Sequence, residues 1–224
     1  MKEIDMTLSK SMLPVAVLAL VMAAGCASNE YRSADSGVIS VGKMRVTLGP
    51  GWKKAPGAET PENRATSRVY SRDSLEKDRL LLIAGVTDGE TLFKGGVISG
   101  LPGFQPNLEI PEIADLVAQS LQLTLWGGSA IVRASNPRKH GYTGLFGFKF
   151  DLEADVPGAA NHRGMAGGFV HEGRLYVNVY LAEWPEAYER YAEVAQEVID
   201  SALVTVKTIR ISAVSRHSTG ASGP

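Results

Sequence analysis

Arg174 to Glu183, RLYVNVYLAE, alternates without a break: Leu175, Val177, Val179 and Leu181 fall on one side, Tyr176, Asn178 and Tyr180 on the other. A period of two over that length fits a pleated strand and no helix. Three further strand candidates precede it, Ser129 to Ser135, His140 to Leu152 and Arg163 to His171. In the second, Tyr142, Phe146, Phe148, Phe150 and Leu152 share one parity. The short HEGR, His171 to Arg174, predicts a hairpin turn. Four strands in succession with no room for a crossover make the sheet mainly antiparallel.

Two segments carry the other periodicity. IPEIADLVAQSLQLTLWGG places Ile110, Ile113, Ala114, Val117, Leu121 and Thr124 or Leu125 on one helical stripe, with Pro111 and Glu112 in the first turn and Gly127 and Gly128 as the stop. WPEAYERYAEVAQEVIDSALV gathers Tyr188, Tyr191, Ala192, Ala195, Val198, Ile199 and Ala202 on one stripe, and Glu186, Glu189, Arg190, Glu193, Glu197 and Asp200 on the other. Earlier in the chain, Met44, Val46 and Leu48 alternate with Lys43, Arg45 and Thr47 in a half-buried strand that ends at Gly49, Pro50 and Gly51, with Trp52 at the core edge. Lys53 to Ala65 is a loop and Ser67 to Ser71 a short strand. RLLLIAGV, Arg79 to Val86, is apolar on both faces, as a central strand covered twice would be. Strands with segregated helices predict an α+β domain with two principal helices on a mainly antiparallel sheet.

A chain of 224 residues with 44% hydrophobic and 21% charged residues has enough apolar side chain for a sizeable core. Its charges nearly balance, 23 basic against 24 acidic, with no basic run that would point to nucleic acid. A single cysteine excludes an internal disulfide.

That cysteine follows an apolar run, Met12 to Ala24, too short to span a bilayer and preceded by Lys2 and Lys10. Ala23, Ala24 and Gly25 lead into Cys26, and polar residues follow at once. The stretch resembles the lipobox of bacterial lipoproteins, with Ala23 where leucine is commonest. The resemblance implies diacylglyceryl transfer to the Cys26 thiol and cleavage between Gly25 and Cys26. It also implies attachment to the cell envelope, at the outer membrane facing the periplasm where a cell has two membranes, because no aspartate follows the cysteine. The alternatives are an ordinary secretory signal with Cys26 incidental, and a buried thiol. The layout expected is a signal peptide over 1–25, a lipidated tether over 26–37, one domain over 38–206 and a polar tail over 207–224. The opening strand closed by LGPGW, the paired strands before the first helix, the antiparallel meander and the amphipathic YERYAEVAQEVIDSAL resemble the Mog1/PsbP-like α/β/α sandwich. That resemblance implies binding to protein partners rather than catalysis.

No chemistry-bearing constellation emerges. His140, His162, His171 and His217 form no i, i+4 pair, and the one metal arrangement to consider joins His162 and His171 to Asp151 or Asp155. GMAGGF, Gly164 to Phe169, and FKGGVISG, Phe93 to Gly100, lack the spacing of a phosphate loop; the first reads as a kinked or closely packed strand. No Gly-x-Ser-x-Gly elbow occurs, and Ser135 and Ser218, which lie near a histidine in sequence, sit in a turn and a loose tail. No cofactor is expected. The remaining candidate is the glycine-rich excursion Asp88 to Glu109, whose Phe93, Val97, Ile98, Leu101, Phe104 and Leu108 form either an exposed partner surface or a hairpin folded back on the core. The functional expectation is a lipid-anchored envelope binding or accessory module that meets the membrane through Cys26 and an envelope protein through the domain. The alternative is a small envelope hydrolase whose residues converge only in space.

Overall fold

The computed structural model describes residues 32–55, 67–93 and 99–204. The apolar run in the middle of the chain takes the place its lack of a polar face requires. It forms β6 (Asp78–Val86), inside an eight-stranded sheet between β5 (Ser67–Ser71) and β10 (Arg174–Glu183). Leu80, Leu82 and Ala84 face one layer, Leu81, Ile83 and Val86 the other, and all six are buried. Each such side chain taken fully out of water contributes about 1.5–3 kcal/mol, so both faces of this strand must be covered.

From edge to edge the sheet runs β1 (Arg32–Ser33), β4 (Lys53–Lys54), β5, β6, β10, β9 (His162–His171), β8 (Leu145–Asp155) and β7 (Ile131–Tyr142), with every pairing antiparallel. One face is covered by α1 (Ile110–Trp126) and by the segment that precedes it. The other is covered by α2 (Glu186–Asp200) and a small sheet ordered β11 (Leu203–Val204), β3 (Met44–Leu48), β2 (Gly37–Val41). The expected class, two helices on a large antiparallel sheet, is the one observed.

The helices begin and end where their sequences dictate. Glu112 accepts the Glu109 backbone N–H at 2.8 Å at the start of α1, and Gly127, at φ 57°, takes the left-handed turn that stops it. In α2 the buried positions Ala187, Ala195, Val198 and Ile199 are small or aliphatic, which brings the helix close to the sheet. Gly167 in β9 completes that approach: a Cβ there would lie 2.5 Å from Tyr142 Oη and 2.7 Å from Ile199 Cγ2. GMAGGF is therefore a closely packed strand.

Three boundaries differ from expectation. The stretch His140–Leu152 is not one strand: the chain turns at Thr143–Gly144, and Tyr142 pairs with Leu145. Equal parity therefore hides a change of side. Paired residues share a face, so Tyr142 and Leu145 face α2 while Phe146, Phe148 and Phe150 face α1. Upstream, Ser129–Ser135 continues through a bulge into the same strand, Ser135 opposing Asp151 and Arg138 opposing Lys149. Finally, Arg32–Ser33 pairs with Lys53–Lys54 within the stretch read as tether, and Ala34 N donates to the Trp52 carbonyl at 2.8 Å. Gly25, Cys26 and the tail 207–224 lie outside the described residues.

The hairpin β5–β6 has a polar lock. Asp78 is buried and accepts from Ser71 Oγ at 2.7 Å, Arg72 N at 2.8 Å and Asp73 N at 2.9 Å. These bonds satisfy a carboxylate that could not otherwise be taken from water.

Candidate functional site

The excursion before α1 divides between core and surface. Gly89 N donates to the Phe104 carbonyl and Phe104 N to the Glu90 carbonyl, both at 2.8 Å, and Thr91 bridges Gly103. That closure carries Leu92, Phe93 and Phe104 into the core beneath α1. Phe93 and Phe104 are thus buried and unavailable to a partner. Leu101 and Leu108 are half-buried, and Val97 and Ile98 lie outside the described residues.

Leu108 does reach a concave surface. Together with Pro106, Ile110, Ile113, Phe148 and Val170 it lines a groove of about 500 Å³ between the start of α1 and the β7–β8 hairpin. Phe146 and Lys139 complete the rim, and among the described residues Lys139 is the sole charged one in the lining. Phe146 is 93% exposed, although Phe148, two residues along on the same face, is buried. The cross-strand neighbour explains the contrast: Phe146 pairs with Gly141, where a Cβ would meet nothing within 4 Å. No side chain shelters the ring. Sequence reasoning missed Phe146 because parity grouped it with core phenylalanines; the glycine opposite, one pair from the turn of the hairpin, was the only signal.

A second cluster sits across the sheet. At the end of α2, Asp200 pairs with Lys149 Nζ and lies 3.2 Å from His140 Nε2. The His140 ring stands edge-on to Tyr142, centroids 4.9 Å apart. Burial lowers the His140 pKa, Lys149 and Arg138 add to that, and Asp200 opposes it. Burial, reinforced by Asp200, raises the Tyr142 phenol well above its ordinary range, so it stays protonated and cannot serve as a base or nucleophile near neutrality. Lys149 is itself buried. The arrangement clamps α2 to the sheet: an ammonium and a carboxylate join the two elements, and the imidazole closes their exposed side.

The histidines named for a metal do not meet. His162 and His171 are the first and last residues of β9, about 30 Å apart along an extended strand. Among the described residues no group of three or more histidine, cysteine, aspartate or glutamate side chains could hold a metal ion. His217 lies outside them.

No family model matches this chain, and no curated protein matches it. Among solved structures it is similar to cyanobacterial PsbP from Synechocystis, at 13% identity over 80% of this chain and 97% of that one, with a TM-score of 0.49. It is also similar to the Ran-binding protein Mog1p of Saccharomyces cerevisiae, at 12% identity over 77% and 96%, TM-score 0.46. A third is LpqN of Mycobacterium tuberculosis, involved in cell envelope biogenesis, at 11% identity over 77% and 91%, TM-score 0.39. At these TM-scores the likeness goes no further than the general arrangement, two helices packed on a large antiparallel sheet.

Proposed function

We propose that the chain is a lipid-anchored binding module of the cell envelope, held at the membrane through Cys26 and engaging an envelope protein through the groove around Phe146. One observation carries the second half of this reading. A phenylalanine 93% exposed beside a concave apolar surface keeps ring and groove in water, a standing cost that binding a partner removes. The hydrolase alternative needs at least two titratable groups in mutual contact within a pocket; among the described residues the groove offers Lys139 alone. The lipobox-like run into Cys26 supports the anchor, since two or more acyl chains hold a protein on a bilayer where one holds it only marginally.

Both halves are open to direct test. Cys26→Ser is expected to move the protein from the membrane fraction to the soluble one and to abolish acyl mass on the chain. Retention in the membrane with no acyl mass on the parent protein would remove the anchor. For the groove, a photoreactive phenylalanine analogue at Phe146 is expected to crosslink an envelope protein in cells, and the same analogue at exposed Glu189 on α2 is not. Equal yields at both positions would remove the groove as the binding element.

A further inference from the structure

Beside the groove runs a sheet edge. Among the described residues β7 pairs only with β8, so along its length half its backbone N–H and C=O groups point outward. The first half of that edge is managed. α1 packs against it, and Gln122 Oε1 accepts the Val132 N–H at 3.1 Å. The bulge follows, with Asn136 at φ 53° and Pro137, which has no N–H to offer. Beyond it Arg138–Tyr142 resumes regular pairing with Leu145–Lys149, next to the groove.

Charge on this second half is uneven. Arg138 and His140 face the α2 side, where Asp151 lies 3.5 Å from Arg138 and Asp200 lies 3.2 Å from His140. Lys139 pairs with Phe148 and so faces the groove, exposed and without an ion-pair partner among the described residues. Two residues on, Gly141 leaves open the space above Phe146. Among the described residues, the groove face of the edge thus presents one cation without an ion-pair partner, then one uncovered ring.

We propose that Arg138–Tyr142 is a docking edge for an extended segment of a partner protein, which adds to the sheet as a further strand. It sets a carboxylate opposite Lys139 and, two residues along on the same face, an apolar side chain opposite Gly141 and against Phe146. The backbone ladder supplies affinity, and the spacing of two supplies specificity, because adjacent residues of a strand point to opposite faces. A second copy of this chain is the poorer occupant. Antiparallel self-pairing centred on Lys139 sets Lys139 against Lys139, like charges directly opposed, and centring it on His140 sets Lys139 against Gly141, so neither register gives the cation a carboxylate.

This inference rests on the groove being the binding surface, and its test separates the two. The full chain, in nanodiscs of neutral phosphatidylcholine, is titrated with a labelled threonine-rich peptide carrying glutamate and leucine two residues apart. A control peptide carries them adjacent, and another has lysine for glutamate. The first peptide is expected to bind at least about tenfold more tightly than either control and to slow amide exchange over Arg138–Tyr142. Lys139→Glu should reverse the preference between the glutamate and lysine peptides. Equal binding of the spaced and adjacent peptides, both lost in Phe146→Ser, would overturn strand addition and leave the groove standing. Binding indifferent to Phe146→Ser would remove the groove as well. Exchange protection without peptide in a self-associated chain would make the occupant a second copy. Phe146-dependent binding to phosphatidylglycerol vesicles, with no peptide binding, would make it a membrane surface.

Discussion

The two faces of the main sheet are built on different physics. On the α1 face the core is aliphatic and phenylalanine-rich, and Phe148 and Phe150 stack at 5.9 Å. On the α2 face the large side chains are Trp52, Tyr142, Tyr176 and Tyr180, with Asn178 fully buried among them and an ion pair at the margin. The aromatic residues there meet both edge-on and stacked: Trp52 and Tyr180 stand 6.2 Å apart at 86°, Phe169 and Tyr176 5.3 Å apart at 29°. The α1 face is held by non-directional burial, which permits an opening at its end. The α2 face buries polar groups, among them both polar side-chain atoms of Asn178 and the Tyr142 and Tyr180 hydroxyls, that find no hydrogen-bond partner among the described residues, and it is closed by a helix and a second sheet. The adaptable surface lies where burial alone holds the layers.

The largest effect that separates the faces should come from the apolar one. Phe150 is wholly buried, and Phe150→Ala is expected to cost about 3–5 kcal/mol through lost transfer free energy and the cavity left behind. Equilibrium denaturation measures it. A loss under about 1 kcal/mol would mean that this core is loose enough to refill, and the contrast between the faces would lose its basis.

Next in size is the clamp. Asp200→Ala leaves the buried Lys149 ammonium without its carboxylate and is expected to cost about 2 kcal/mol, below the range for fully buried pairs because Asp200 is partly exposed. Lys149→Met, which removes the charge that burial penalises, should stay within about 1 kcal/mol of the parent. Equal losses in the two variants would show that the pair acts as a whole and not through the cost of an orphaned ammonium.

Much of this asymmetry was legible in the sequence and part of it was not, for physical reasons. The double-faced β6 is local information: eight residues apolar at nearly every position have only one place to go. So is the turn at Glu172–Gly173, both at positive φ in a two-residue hairpin loop. The Thr143–Gly144 turn escaped because a two-residue loop makes residues three apart face the same way, which a count of odd and even positions reads as opposite sides. The strand β11 escaped for another reason. β11 is two residues long and exists by pairing with Arg45 and Met44, more than 150 positions away. The Lys149–Asp200 clamp is likewise non-local. Within the excursion, an apolar residue list cannot distinguish Phe93, which fills the core, from Leu108, which lines the groove.

A smaller effect appears with pH. Burial lowers the pKa of His162, packed against Trp126 on the α1 side, more than the Glu76 carbonyl raises it, and His140 on the α2 side is lowered as well. A folded pKa below the unfolded value means that the unfolded chain binds the proton more readily. The stability from both imidazoles is therefore full above about pH 6.5 and is lost as pH falls through the folded values. Denaturation midpoints taken downward from pH 7 should decline, and His162→Gln should flatten the decline more than His140→Gln, because Asp200 faces His140 and favours its cation. The reverse ranking would place the dominant titrating contact in the clamp.

The smallest effect on stability should fall on the residue of greatest functional interest. Phe146 and Phe148 occupy one strand, one face and positions two apart, yet one is 93% exposed and the other 2%. Phe148→Ala should follow Phe150→Ala, costing about 3 kcal/mol. Phe146→Ser should change stability by no more than about 0.5 kcal/mol, because the ring is already in water and its loss opens no cavity. A gain in stability or solubility from Phe146→Ser is compatible with this, since an exposed ring favours association over folding. A loss comparable to that at Phe148 would show that the ring rests on the groove in solution, and the groove would then be an internal joint. The pair thus measures where the α1 core ends: at Phe148 the sheet is still interior, and one pleat further along it is surface.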